Sequence, residues 1–188
     1  HVVFCADRSY MQHAAVAAVS ALDNSPGTTI CFHYVTCDDD PEAKARLART
    51  IARHPGATLE FHHVDEERIA GAFADRHVTR AAYLRFLAPE VLPAEIERIV
   101  YIDCDVVVMD DIRKLAGIDL QGHAVGATPD ADWTKGAPDQ RKLALGLRPG
   151  HSYVLSGMLV MDLVPWRRQG LTRRIFDCVD RLGGQLVY

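Results

Sequence analysis

The apolar positions of this chain fall into short continuous runs that alternate with helical patterns. His1 to Cys5 is apolar and β-branched, Asp7-Arg8-Ser9 is polar, and Met11, Ala15, Ala18, Val19 and Leu22 then recur at helical spacing. Asn24-Ser25-Pro26-Gly27 punctuates the end of that helix, and Thr28 to Thr36, rich in Thr, Ile, Phe, Tyr and Val, predicts a second strand. Asp40 followed by Pro41 predicts an N-cap with proline at the first helical position. That helix runs to about His54, and Pro55-Gly56 leads into a third strand, Thr58 to Val64. Helical patterns over Glu66–Phe73 and Thr79–Leu87 end at Pro89 and Pro93, and Arg98 to Ile102 reads as a buried strand running into carboxylates. Val106 to Val108 is a brief apolar segment, Ala124 to Thr128 a further strand, and Ala131 to Gly150 a loop-rich excursion. The apolar run Met158–Leu163 precedes an amphipathic helix that contains Trp166 and reaches about Leu182. This alternation predicts an α/β fold with a mostly parallel sheet flanked by helices.

Length and composition narrow the class. At 188 residues the chain fits one domain, and 48% hydrophobic with 24% charged residues is the make-up of a globular protein, not a disordered one. The net charge of −4, with basic residues dispersed, excludes the electrostatic footprint of nucleic-acid binding. No apolar run approaches the roughly 18 residues that a membrane span needs, and residues 1–20 lack the order of a signal peptide, so a soluble chain is expected. Cys5, Cys31, Cys37, Cys104 and Cys178 are odd in number and form no C-x-x-C pair, which predicts free thiols in a reducing compartment. The nine histidines are scattered, and the adjacent His62-His63 pair would point to opposite faces of a strand, so neither they nor the cysteines are read as a metal site.

The chemistry concentrates in Ile99-Val100-Tyr101-Ile102-Asp103-Cys104-Asp105-Val106-Val107-Val108, where two acids interrupt an otherwise buried strand. Charge there needs a cation or several donors, and open parallel sheets bind ligands outside the carboxyl ends of their strands. Two residues apart on extended backbone, Asp103 and Asp105 project to one side and offer hard oxygen ligands to Mg²⁺ or Mn²⁺ that also holds a phosphate. The alternative is a plain strand-to-loop exit with Asp as turn former. A D-x-D-x-V run also resembles the first motif of haloacid-dehalogenase phosphohydrolases, which would make Asp103 a nucleophile. That motif normally opens its domain, whereas three strands precede it here, and Asp110-Asp111 follow too closely to serve as the later acids. Phe4-Cys5-Ala6-Asp7-Arg8-Ser9-Tyr10 places small and polar groups where a base and ribose can meet backbone amides and one acid. No G-x-G-x-x-G is present to indicate a dinucleotide fold. Arg85 lies on a predominantly apolar helix, as a salt-bridged structural arginine or as a clamp for a diphosphate.

Taken together, these segments resemble the family 8 glycosyltransferases, a retaining group of GT-A fold that includes lipopolysaccharide galactosyl- and glucosyltransferases and glycogenin. The resemblance is collinear from Val3-Phe4-Cys5-Ala6-Asp7 with Tyr10, through Tyr83-Leu84-Arg85 and Ala88-Pro89-Glu90-Val91-Leu92-Pro93, to Val100–Val106 and Ser156–Leu163 with Trp166-Arg167. It implies a GT-A, Rossmann-like, mixed but mostly parallel sheet. It also implies transfer of a hexose from a nucleotide diphospho-sugar, UDP-glucose or UDP-galactose, to a carbohydrate or glycolipid acceptor with retention of configuration. On the matching positions, Asp103 and Asp105 hold Mn²⁺ or Mg²⁺ on the diphosphate, and Cys5, Ala6, Asp7, Ser9 and Tyr10 surround uridine. Arg85 and Asp130 approach the diphosphate and donor sugar and are the catalytic candidates, with Cys104 and Ser156 as further donor contacts.

The chain departs from the family in two places. Where members usually read Tyr-Phe-Asn before a small residue and Gly, this chain reads Tyr153-Val154-Leu155-Ser156-Gly157, so a sugar-contacting amide is replaced by Leu155. A non-catalytic module that binds nucleotide sugar and metal is therefore the alternative function. The sequence also stops at Tyr188, where members continue to an Asp-Gln-Asp segment and a later metal-binding His. The expectation is a domain over 1–188, truncated before an acceptor-side segment that could also bring a peripheral contact at the inner face of the membrane, in the cytoplasm.

Overall fold

The structure, a computed structural model, describes residues 1–72, 79–129, 143, 146 and 153–183. Six strands form one sheet: β1 (Val2–Cys5), β2 (Ile30–Thr36), β3 (Ala57–His63), β4 (Arg98–Ile102), β5 (Val125–Pro129) and β6 (Val154–Asp162), in the order β3-β2-β1-β4-β6-β5. The first four pair in parallel, and β6 runs antiparallel to both β4 and β5. The sheet is therefore mixed and mostly parallel, as the alternation of elements predicted.

Successive residues of β1 and β4 serve opposite faces, and both faces are buried, which explains their continuous apolar runs. Val2, Phe4, Phe32, Tyr34, Val100 and Ile102 pack beneath α1 (Met11–Asp23) and α2 (Pro41–Ile51). Val3, Val35, Ile99, Tyr101 and Met161 pack beneath α3 (Leu84–Val91), α5 (Leu163–Arg168) and α6 (Leu171–Leu182), while the short α4 (Arg113–Ala116) follows β4. The face of α1 is set by alanines: Ala14, Ala17, Ala18 and Ala21 are fully buried with Met11, whereas Val16 is exposed. Of the predicted stripe, Met11 and Ala18 are buried and Ala15 and Leu22 pack at the margin of the core, so the buried face is centred on the alanines. Asp40 caps α2 as predicted, its carboxylate accepting from the Ala43 N–H at 3.0 Å.

Four local expectations are corrected. The pattern from Glu66 yields only a 3₁₀ turn, Glu66–Ile69, and that from Thr79 a 3₁₀ turn, Arg80–Tyr83, ahead of α3. Helix α3 passes through Pro89 and stops at Val91, because Leu92, preceding Pro93, is pushed to extended backbone (φ −75°, ψ 146°). The Trp166 helix is two helices, broken where Gly170 takes left-handed dihedrals (φ 59°, ψ 40°). Among the described residues no helix is long and apolar enough to cross a membrane, and the five cysteines are free.

Candidate active site

β1 is followed by connections to β2 and β3 on one side, and β4 then pairs on its other side, so the strand order reverses between β1 and β4. Ligands of open α/β sheets bind at the carboxyl end of such a switch point. A cleft of about 320 Å³ opens there, and its walls include Cys5 at the end of β1, Ala6, Asp7 and Tyr10 beyond it, and Asp103, Cys104 and Asp105 after β4. Arg85 from α3 and Ser156 from β6 close the remaining side. Nine of the sequence-predicted residues are thereby brought together. Ser9 stands behind Asp7 instead of on the wall, and Asp130 lies outside the described residues.

The β1 side is preorganised by its own backbone. Asp7 accepts from the Ser9 N–H at 2.9 Å and from the Ser9 hydroxyl, which caps the 3₁₀ turn Arg8–Tyr10. The Asp7 carbonyl in turn accepts from the buried Tyr34 hydroxyl at 2.8 Å, and the Arg8 N–H donates to Asp38 at 2.6 Å. Tyr10 leaves 40% of its surface open beside His13.

The carboxylate side depends on β6. Its pairing with β5 jumps from Ala127↔Leu159 to Thr128↔Leu155, so β6 is irregular over Ser156-Gly157-Met158. The antiparallel pairing of β6 with β4 presents the Gly157 carbonyl to the Asp103 N–H at 2.8 Å, and the neighbouring Ser156 carbonyl accepts from Arg85. Gly157 leaves the Asp103 carboxylate its place, because a Cβ there would stand 2.9 Å from Asp103 Oδ2 and force it to shift. Asp103 also accepts from the Tyr101 hydroxyl, and Arg85 Nη2 approaches its Oδ1 at 3.4 Å. Burial holds the Tyr101 phenol well above its ordinary pKa, so it remains a donor.

Arg85 is nearly buried, at 9% exposure. Its Nε donates to the Ala82 carbonyl and its Nη1 to the Ser156 carbonyl, both at 2.7 Å, while the guanidinium lies 4.8 Å from the centre of the Tyr101 ring. It ties α3, β4 and β6 together behind Asp103. Asp103 is partly exposed, Cys104 buried and Asp105 exposed, so the acids share the open side of the turn while the thiol points inward. Burial, then the charges of Asp103, Asp105 and Asp7, pushes the Cys104 thiol up to about 12 and keeps it neutral. Among the described residues no third His, Cys, Asp or Glu completes a cluster with Asp103 and Asp105. Sequence reasoning missed the wall made by Thr79, Ala81, Ala82, Tyr83 and Phe86. The small pair Ala81-Ala82 beside an arginine was its one available signal.

The chain is similar in sequence and in fold to known proteins. The chain is 31% identical over 182 residues to General stress protein A of Bacillus subtilis (strain 168), spanning 96% of this chain and 62% of that protein. It is 27% identical over 176 residues to Glycosyltransferase GlyF of Streptococcus pneumoniae serotype 4, spanning 94% of this chain and 40% of that protein. The crystal structure of the galactosyltransferase LgtC in complex with donor and acceptor sugar analogues superposes with a TM-score of 0.89 at 28% identity. That match covers all of this chain and 66% of LgtC, and shows the GT-A fold. The chain thus spans about 40 to 66% of the length of these proteins. The sequence pattern of Glycosyl transferase family 8 matches residues 1–185, and the chain belongs to that family.

Proposed function

We propose that this chain forms the donor-binding part of a metal-dependent glycosyltransferase. It would move a hexose from UDP-glucose or UDP-galactose to a carbohydrate or glycolipid acceptor with retention of configuration. The observation that carries this reading is the placement of Asp103 and Asp105 on the open side of one turn, at the switch point between β1 and β4. Their donor set fits a hard cation: both offer carboxylate oxygen, and the bare Cα of Gly157 leaves room for Asp103 to face the cleft. Mn²⁺ or Mg²⁺ bound there would offset the negative charge of a departing diphosphate.

The chain's own groups divide the remaining tasks. Asp7, held by its capping bonds, and the walls of Cys5 and Ala6 take the nucleoside, with the exposed ring of Tyr10 at the rim. Ser9 acts through Asp7. Tyr101 and Arg85 hold Asp103 in place, so Arg85 is a positioning residue before it is a diphosphate clamp. Cys104 lends burial beneath the acids and Ser156 its carbonyl to Arg85. Asp130 keeps the donor-sugar role that the family resemblance implies.

The test is titration calorimetry of UDP with and without Mn²⁺, followed by mass spectrometry of products from a panel of nucleotide sugars and acceptors. Asp103→Asn with Asp105→Asn keeps size and removes charge, and is expected to abolish the Mn²⁺-dependent part of UDP binding. Unchanged Mn²⁺-dependent binding would overturn the site. A second reading, a module that binds donor without transfer, is favoured by Leu155, which is 50% exposed next to Ser156 in place of a sugar-binding amide. Donor binding with no glycosylated product from any acceptor would select it.

A further inference from the structure

β3 is an edge strand and pairs only with β2. The parallel register sets His33 of β2 opposite Val3 on one side and Glu60 on the other, with His62 opposite Val35. Strand alternation then puts His33, Glu60 and His62 on the same face of the sheet. The His33 ring is fully buried and engages both of its nitrogens, with Nε2 2.9 Å from His1 Nδ1 and Nδ1 2.9 Å from His62 Nε2. Glu60 Oε2 closes the triangle at 3.6 Å from His33 Nδ1 and 3.8 Å from His62 Nε2. None of these residues lines the cleft that holds Asp103 and Asp105.

The three separations average about 3.4 Å, close to the edge of a tetrahedron whose bonds are about 2.0–2.1 Å long, the length of zinc bonds to nitrogen and carboxylate oxygen. We propose that His33 Nδ1, His62 Nε2 and Glu60 Oε2 form a site for one zinc ion, distinct from the acidic pair of the cleft. Two imidazoles and one carboxylate are a borderline donor set, suited to zinc in preference to the hard, oxygen-seeking Mg²⁺ or Mn²⁺. Burial holds both rings below the ordinary imidazole pKa, His33 at about 4, so near neutral pH each offers a lone pair without first losing a charge.

Binding replaces the bond between the two rings by a change of tautomer. His33 then carries its hydrogen on Nε2 and donates it to His1 Nδ1, the kind of outer partner that orients a ligating histidine. His62 carries its hydrogen on Nδ1. The Glu60 side chain is 52% exposed and that of His62 13%, so the triangle is reachable from the sheet edge, where water completes the tetrahedron. The ion would cross-link the edge strand to β2 and stabilise the sheet.

Zinc titration of the chelator-stripped chain in the Asp103→Asn/Asp105→Asn background isolates this site from the cleft. One zinc ion per chain is expected, with a rise in melting temperature, and Co²⁺ in its place should give the intense visible bands of a four-coordinate ion. Glu60→Gln and His62→Gln, checked for folding by circular dichroism, should each weaken zinc by tenfold or more and remove those bands. Should His62→Gln unfold the chain, the exposed Glu60→Gln decides alone. No zinc binding in the double-Asn background would overturn the proposal and leave a hydrogen-bonded imidazole pair only. Zinc binding indifferent to a folded substitution, or the weak bands of six-coordinate Co²⁺, would overturn it equally.

Discussion

Replacing Arg85 by lysine separates two roles for the buried cation of the cleft. The guanidinium donates to the carbonyls of Ala82 and Ser156 at 2.7 Å, lies 3.4 Å from Asp103 and stacks over Tyr101. A lysine ammonium keeps the charge but cannot reach two carbonyls on different elements and the carboxylate together. At least one carbonyl loses its donor. A hydrogen bond to a charged group is worth roughly 1.5–3 kcal/mol, and an orphaned buried polar group costs about 1–3 kcal/mol, so Arg85→Lys should destabilise by about 2–4 kcal/mol. For a chain of this size that corresponds to a fall in melting temperature of about 5–15 °C, readable by calorimetry or by urea unfolding. Because Arg85 orients Asp103, Mn²⁺-dependent UDP binding by the folded fraction should also weaken, by about 10–100-fold, as for other residues that orient a metal ligand. UDP binding without Mn²⁺ should change far less. The reasoning fails if Arg85→Lys melts within about 1 °C of the parent and weakens UDP equally with and without Mn²⁺, for then the guanidinium serves the diphosphate and not the wall.

Three further predictions each concern one residue. Gly157→Ala places a Cβ 2.9 Å from Asp103 Oδ2 and should displace that carboxylate, so Mn²⁺-dependent UDP affinity should drop while the circular dichroism spectrum is unchanged. Arg167 donates to five carbonyls, those of Pro89, Leu92, Pro93, Ala94 and Ile96, and Arg167→Lys should lower stability by about 2–4 kcal/mol in urea unfolding with no specific effect on the cleft. Burial first, then the carboxylates of Glu66, Asp38 and Asp65, raises the Cys37 thiol above its ordinary pKa of 9.0. Because the thiolate is the reactive form, alkylation of Cys37 should accelerate only above that pH in the folded chain and at lower pH once urea unfolds it, as peptide mass mapping can follow.

Much of this could be read along the chain because it is local. The Asp40-Pro41 cap, the apolar runs of β1, β2 and β4 and the two acids at the end of β4 each depend on neighbours within a few residues, and the structure places each where the pattern does. What could not be read is pairing between strands. Nothing in Ser156-Gly157-Met158 announces that β6 runs antiparallel to β4, yet that direction aims the Gly157 carbonyl at Asp103 and the Ser156 carbonyl at Arg85. Periodicity also cannot separate a 3₁₀ turn from a helix over Arg80–Tyr83, so the wall beside Arg85 was hidden inside a longer predicted helix.

The histidines make the same point from the other direction. His62 and His63 look unpromising as neighbours in sequence because strand alternation sends them apart, and that inference holds. The partner that matters to His62 is His33, 29 positions away, and only the parallel register that sets Val35 against His62 and His33 against Glu60 brings the three ligating atoms within 4 Å. A slip of one residue between β2 and β3 would turn Glu60 and His62 to the opposite face and leave His33 buried without either. The triangle is therefore a property of register, and register here is held by burial: Phe32 and Tyr34 on one face and Val35 on the other are fully enclosed. The apolar pattern that makes β2 legible as a strand is also what aligns a polar cluster that no pattern in the sequence displays.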